Sequence, residues 1–163
     1  MLSEIAARAA AVHGNVQEQE ALCAELRSGD RQVAYRAAWV MTHLKGEDLE
    51  WVGTHRAELV GLAVSTPDTA IRRLLLTVLS HLGWTAEDVD PQLIDFLFAH
   101  AADPEESVGV RSVCMRLAYM QCRFHPELAE ELRQVLLMIE PYDLKPAVKH
   151  ARQTILRQLG RSR

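Results

Sequence analysis

Four segments of this chain repeat one another at nearly constant spacing, and a chain built that way must stack like units. VAYRAAWVMTHL, IRRLLLTVLSHL, VRSVCMRLAYMQ and VKHARQTILRQL align at Val33, Ile71, Val110 and Val148, spaced 38, 39 and 38 residues apart. The seventh position after each is Val40, Val78, Leu117 and Ile155, and the eighth is Met41, Leu79, Ala118 and Leu156. Positions 0, 7 and 8 fall on one stripe of a helix with 3.6 residues per turn, so all four helices are expected to bury the same side.

Strand signals are missing, and no long run alternates apolar and polar residues. Helix punctuation is frequent instead. His13-Gly14, Ser28-Gly29-Asp30, Ser65-Thr66-Pro67-Asp68, Asp90-Pro91, Asp103-Pro104 and His125-Pro126 pair a capping residue with a proline or glycine. They predict helices near 3–13, 15–28, 31–44, 48–64, 68–82, 91–102, 105–122, 126–139 and 145–159. The connections are short, which makes neighbouring helices antiparallel.

The period, the Asp-x-x-Val/Ile pattern of Asp30/Val33 and Asp68/Ile71, and a basic residue after the register position at Arg72, Arg111 and Lys149 carry a family likeness. Over residues 15–160 the chain resembles the HEAT-like repeats of α-solenoids, some of which are small bacterial proteins. Ala34 stands in the basic slot of the first repeat, and Lys145 stands where the fourth would carry its aspartate. The resemblance implies an all-α, right-handed solenoid of armadillo type, in which outer A helices alternate with inner B helices. It implies one domain over 1–163, with a cap helix at 1–14 and repeats at 15–46, 47–84, 85–124 and 125–160. It also places the B helices on the concave surface.

If positions 0, 7 and 8 are buried, positions 2, 6 and 10 point away from the core. Position 2 is Tyr35, Arg73, Ser112 and His150; position 6 is Trp39, Thr77, Arg116 and Thr154; position 10 is His43, His81, Met120 and Gln158. The periodicity that buries Val40 thus puts Tyr35, Trp39 and His43 on one outward ridge. Exposing a large aromatic forgoes roughly 1.5–3 kcal/mol of burial, so these rings call for a cover. Two are open, the alanine-rich helix of residues 3–13 folding over them or a binding partner; the remaining alternative is a different helix register that does not expose them.

Charge is segregated in the same sense. Segments 31–44, 70–82, 107–124 and 144–163 hold Arg31, Arg36, Arg72, Arg73, Arg111, Arg116, Arg123, Lys145, Lys149, Arg152, Arg157, Arg161 and Arg163, and no Asp or Glu. All 22 acids lie elsewhere, so the net charge of −4 conceals a basic B side whose field would attract an anion. The acidic net charge puts an acidic protein segment ahead of nucleic acid as the partner. Tyr35, Arg36, Trp39, His43, Arg72, Arg73, His81, Arg111 and Arg116 are the expected binding residues.

The chemistry of catalysis is not written in the sequence. Phosphate-binding glycine loops, HExxH, GxSxG and paired-cysteine motifs are absent, so no catalytic residue, metal or cofactor is expected. Cys23, Cys114 and Cys122 read as buried reduced thiols, and His43 and His81 lack a carboxylate or thiol on their ridge to complete a metal site. The adenylosuccinate lyase signature loop, Ser-Ser-x-Met-Pro-x-Lys-x-Asn, does not occur. A distant resemblance to HEAT-like DNA glycosylases for alkylated bases supplies the alternative of nucleic-acid binding or DNA repair. Those enzymes set an Asp one turn after a Trp, whereas here Trp84 and Asp88 have that spacing only in a loop and Trp39 is followed by His43. No apolar run reaches membrane-span length, and Glu4 argues against a secretory signal, so the expectation is a cytoplasmic, non-enzymatic scaffold that does not bind membranes.

Overall fold

Helix starts in this protein are set by side chains that accept from the first free amides. In the computed structural model, which describes residues 1–141 and 144–161, Asn15 accepts from the Glu18 amide at 3.1 Å. Asp30 accepts from Gln32 and Val33 at 2.9 and 3.3 Å, and Asp68 from Ile71 at 3.0 Å. Asp90 accepts from Leu93 at 3.2 Å and Ser107 from Val110 at 3.3 Å. Each such cap is worth about 1 kcal/mol. The Asp-x-x-Val/Ile signature is therefore a cap followed, three residues on, by the register residue whose amide it holds.

Among the described residues there are ten α-helices, one 3-10 turn and no strand. They are α1 (Leu2–Val12), α2 (Val16–Leu26), α3 (Arg31–Met41), α4 (Glu47–Gly53), α5 (Arg56–Ser65), α6 (Thr69–His81), α7 (Pro91–Ala102), α8 (Val108–Cys122), α9 (Pro126–Met138) and α10 (Pro146–Arg161). None is long and apolar enough to cross a membrane.

Three boundaries differ from expectation, one of them being the helix expected at 31–44, which ends at Met41. The helix expected at 48–64 is α4 and α5, broken at Thr54-His55. Gly53 and Thr54 are weak helix formers, and the Thr54 hydroxyl donates to the Trp51 carbonyl at 2.6 Å, drawing that acceptor into a local turn. The helix expected from 105 begins at Val108, because the Asp103 side chain accepts from Glu105 in a turn and Ser107 then supplies the cap.

The helices fall into two units, Met1–Leu82 and Gly83–Arg163. In the first, α3 packs against α1, α2 and α6, and α5 packs against α6. α1 thus flanks α3 as α6 does. In the second, α8 packs against α7, α9 and α10, and α9 also touches α7 and α10.

The shared register forms the core of both units. Val40, Met41, Val78, Leu79, Val110, Leu117, Ala118, Val148 and Ile155 are buried. Leu156 and Val33 are only half-buried. In α3 the buried stripe is turned by one residue onto Ala34, Ala37, Ala38 and Met41, where small side chains admit close helix neighbours.

One further device links hairpin partners. Arg72 Nη2 donates to the Thr66 carbonyl after α5 at 2.6 Å. Arg111 Nε donates to the Ala101 carbonyl of α7 at 3.0 Å, and Arg152 Nε to the Leu136 carbonyl of α9 at 2.7 Å. Each guanidinium satisfies a terminal carbonyl at the negative end of the preceding helix.

Candidate functional site

The expected binding residues separate into those turned outward and those used internally. Arg111 is drawn out of the face on which it was expected: it is 7% exposed, and its guanidinium is spent on the α7 terminus. Desolvation lowers its pKa, though an arginine remains charged at any ordinary pH. Arg72 is half-buried and similarly holds the chain after α5. In the second and third repeats the basic slot is a clamp between helices, whereas in the fourth the slot residue Lys149 is exposed and Arg152, three residues on, is the clamp.

Arg36, Arg73 and Arg116 are exposed, and among the described residues no carboxylate lies within ion-pair distance of them. Arginines of α1, of the C-cap of α2 and of α9 behave differently. Arg8 grips Glu25 at 2.8 and 2.9 Å, Arg27 reaches Glu58 at 2.9 Å, and Arg133 reaches Glu130 at 3.0 Å. Arg31 is the exception on α3, since it pairs with the cap carboxylate of Asp68. Arg163 lies outside the described residues.

On α3 and the turn that follows it, residues four apart form a continuous ridge. The Arg31 guanidinium lies 5.7 Å from the centre of the Tyr35 ring, and the Tyr35 and Trp39 rings are 6.1 Å apart at 58°. His43 Nδ1 sits 3.1 Å from the Trp39 carbonyl oxygen. Tyr35, Trp39 and His43 are half-buried, and the rings rest partly on one another. On the adjoining α6, Arg73 and His81 are exposed at either side of Thr77, whose hydroxyl donates to the Arg73 carbonyl at 2.7 Å. His81 is exposed as a residue, yet the atoms packed about its ring lower its pKa by desolvation. It is neutral at pH 7 and adds no charge to the face.

In the second unit the same register positions line a groove of about 500 Å³ between α8 and α10. Ser112, Arg116 and Met120 come from α8, and His150, Thr154 and Gln158 from α10. Tyr119, Ala147, Ala151 and Ile155 complete the wall. The Ser112 and Thr154 hydroxyl oxygens are buried without a hydrogen-bond partner. Reading the sequence in columns gave the outward positions but missed Tyr119 and the groove itself. The available signal was two facing ladders, 112/116/120 and 150/154/158, carrying mostly small or unbranched side chains.

Other chemistry-bearing residues are accounted for structurally. Trp84 is buried, and the Asp88 carboxylate accepts from the Thr85 amide and hydroxyl at 2.8 and 2.9 Å, closing a capping box. Burial pushes the Cys122 thiol up to about 12 and raises Cys23 as well, so neither is a ready thiolate at neutral pH. Among the described residues no three His, Cys, Asp or Glu side chains gather to hold a metal ion.

Among known families, a model described as a HEAT repeat domain matches residues 2–159. The match takes in α1, which the sequence resemblance left outside the repeats. No curated protein matches the chain.

Proposed function

The chain belongs to the HEAT repeat domain family, and from that premise we propose that it is a non-enzymatic binding scaffold for an acidic protein segment. The supporting observation is one of charge. Arg36 and Arg73 in the first unit and Arg116 in the second are exposed without a carboxylate within ion-pair distance among the described residues, and they stand on α3, α6 and α8, whose sequences contain no acid. Guanidinium groups bind carboxylates through paired hydrogen bonds, so each such arginine suits a Glu- or Asp-rich strand or helix. Tyr35 and Trp39 supply apolar surface beside those charges in the first unit. In this reading residues 15–46, 47–84, 85–124 and 125–160 are the four repeats.

The partner in this reading is a protein, and not a nucleic acid, because domains dedicated to nucleic acid are usually basic overall whereas this chain carries −4. The test is fluorescence anisotropy with a labelled Glu/Asp-rich peptide and with single- and double-stranded DNA, at about 50 and about 200 mM salt. The peptide is expected to bind with salt sensitivity, and the Arg36→Glu/Arg73→Glu/Arg116→Glu variant to lose at least about tenfold in affinity at an unchanged Tm. DNA binding tighter than peptide binding would replace this reading with a nucleic-acid one. A large fall in Tm would make the three arginines structural.

A further inference from the structure

Resting on that reading, we infer that the α8/α10 groove is an anchor pocket, which accepts one apolar side chain of the acidic segment while Arg116 holds a neighbouring carboxylate. The groove's size and chemistry both bear on this. At about 500 Å³ it exceeds the space a single leucine or phenylalanine side chain needs and leaves room for the backbone on either side. Tyr119, Met120 and Ile155 give it an apolar wall, and Ala147 and Ala151 leave the α10 side low.

The charge at the groove fixes the character of the rest of the ligand. Arg116 lines it and is exposed, and the described residues of α8 and α10 contain no carboxylate to answer that guanidinium. A purely apolar ligand would leave it unmatched. A purely acidic one would leave the apolar wall wet. An acidic segment with one leucine or phenylalanine matches both.

The two orphaned hydroxyls point the same way. Ser112 is 6% exposed and its oxygen has no partner, and the Thr154 oxygen is likewise buried and unpaired. A buried polar group normally finds a partner, and leaving it without one is costly. Rotation about χ1 would bring either hydroxyl to a backbone carbonyl or amide of a peptide lying between the helices. A bare hydrocarbon would offer nothing there.

The experiment uses two labelled peptides of equal length and charge, rich in Glu and Asp, one with a central Leu and the other with Ser in its place. Affinity is read by anisotropy against the full chain, against Ala147→Trp, which fills the groove, and against Met120→Ser, which removes part of its wall. Circular dichroism and Tm establish that each variant is folded. The Leu peptide is expected to bind at least about tenfold tighter than the Ser peptide. That preference should fall to near unity in both variants. Equal binding of the two peptides, with no effect of either variant, would overturn the anchor pocket and leave the scaffold reading standing. No binding of either peptide at low salt would remove the scaffold reading and the pocket together. A chain that is dimeric by ultracentrifugation and becomes monomeric on Ala147→Trp would overturn the inference by making a second copy the occupant.

Discussion

The register helices of the two units share one pattern of positions and arrive at contrasting surfaces. On α3 and the turn that follows it, the outward positions hold Tyr35, Trp39 and His43, which lean on one another and build a ridge. On α8 and α10 they hold Ser112, Arg116 and Met120 against His150, Thr154 and Gln158, and a groove remains. The backbone period decides which residues look outward. Side-chain volume decides whether that face is filled or hollow. Evolution of a repeat can therefore exchange one kind of surface for another without altering the core stripe, because the two sets of positions do not overlap.

If this division is right, the largest penalties belong to arginines that face inward, and the comparison can be broken on one helix. Arg111 and Arg116 both lie on α8, yet only the first holds a helix terminus. Arg111→Ala is expected to lower stability by about 1–3 kcal/mol, since it leaves a buried carbonyl unsatisfied. Arg116→Ala should stay within about 0.5 kcal/mol. Urea unfolding of the two variants measures both; equal losses would erase the distinction between clamp and face.

Next in size are exchanges across the two surfaces at position 6. Trp39→Thr gives the ridge the residue that α10 carries, and it should cost about 1–2 kcal/mol because the ring is half-buried and packed on Tyr35. Thr154→Trp does the reverse. It should fill the groove, replace a buried hydroxyl without a partner, and change stability by less than about 1 kcal/mol. Thermal unfolding gives the stability change, and an environment-sensitive apolar dye reports whether the groove has closed. A Thr154→Trp protein that still binds the dye would place its site elsewhere.

Much of this division was legible in the sequence, and the reasons for the rest are specific. Caps and prolines marked most helix starts because their effect is local: Asp68 needs only the amide of Ile71. The break at Thr54-His55 was not visible, since Gly53 and Thr54 are individually tolerated inside a helix. Val33 was expected in the core on periodicity alone, but Ala37 and Ala38 let neighbouring helices close in and turn the stripe. Arg72 and Arg111 were recognisable as a repeated basic slot. Whether a guanidinium reaches solvent or a carbonyl on the previous helix is a tertiary matter, and periodicity is silent on it. The groove was hidden for a related reason, because a void is a property of two facing helices.

The smallest expected effect concerns the caps, and it separates the units by pH. The cap of α6 is Asp68, and that of α8 is Ser107. The Ile71 amide bonded to Asp68, with help from Arg31, holds its carboxyl below the usual range. A carboxylate depressed in the folded state stabilises fully above its unfolded pKa of about 3.9, and that contribution is lost as pH falls through the lower folded value. Ser107 does not titrate, so its bond to Val110 has no such window. Below about pH 4 the first turn of α6 should therefore loosen by a few tenths of a kcal/mol while that of α8 does not. Hydrogen exchange at the Ile71 and Val110 amides reads the two ends side by side. Asp68→Asn retains a capping oxygen but cannot titrate, so it should abolish the acid-dependent loss at Ile71. If Ile71 in that variant still lost protection with acid, the pH dependence would have to arise from a group other than the cap.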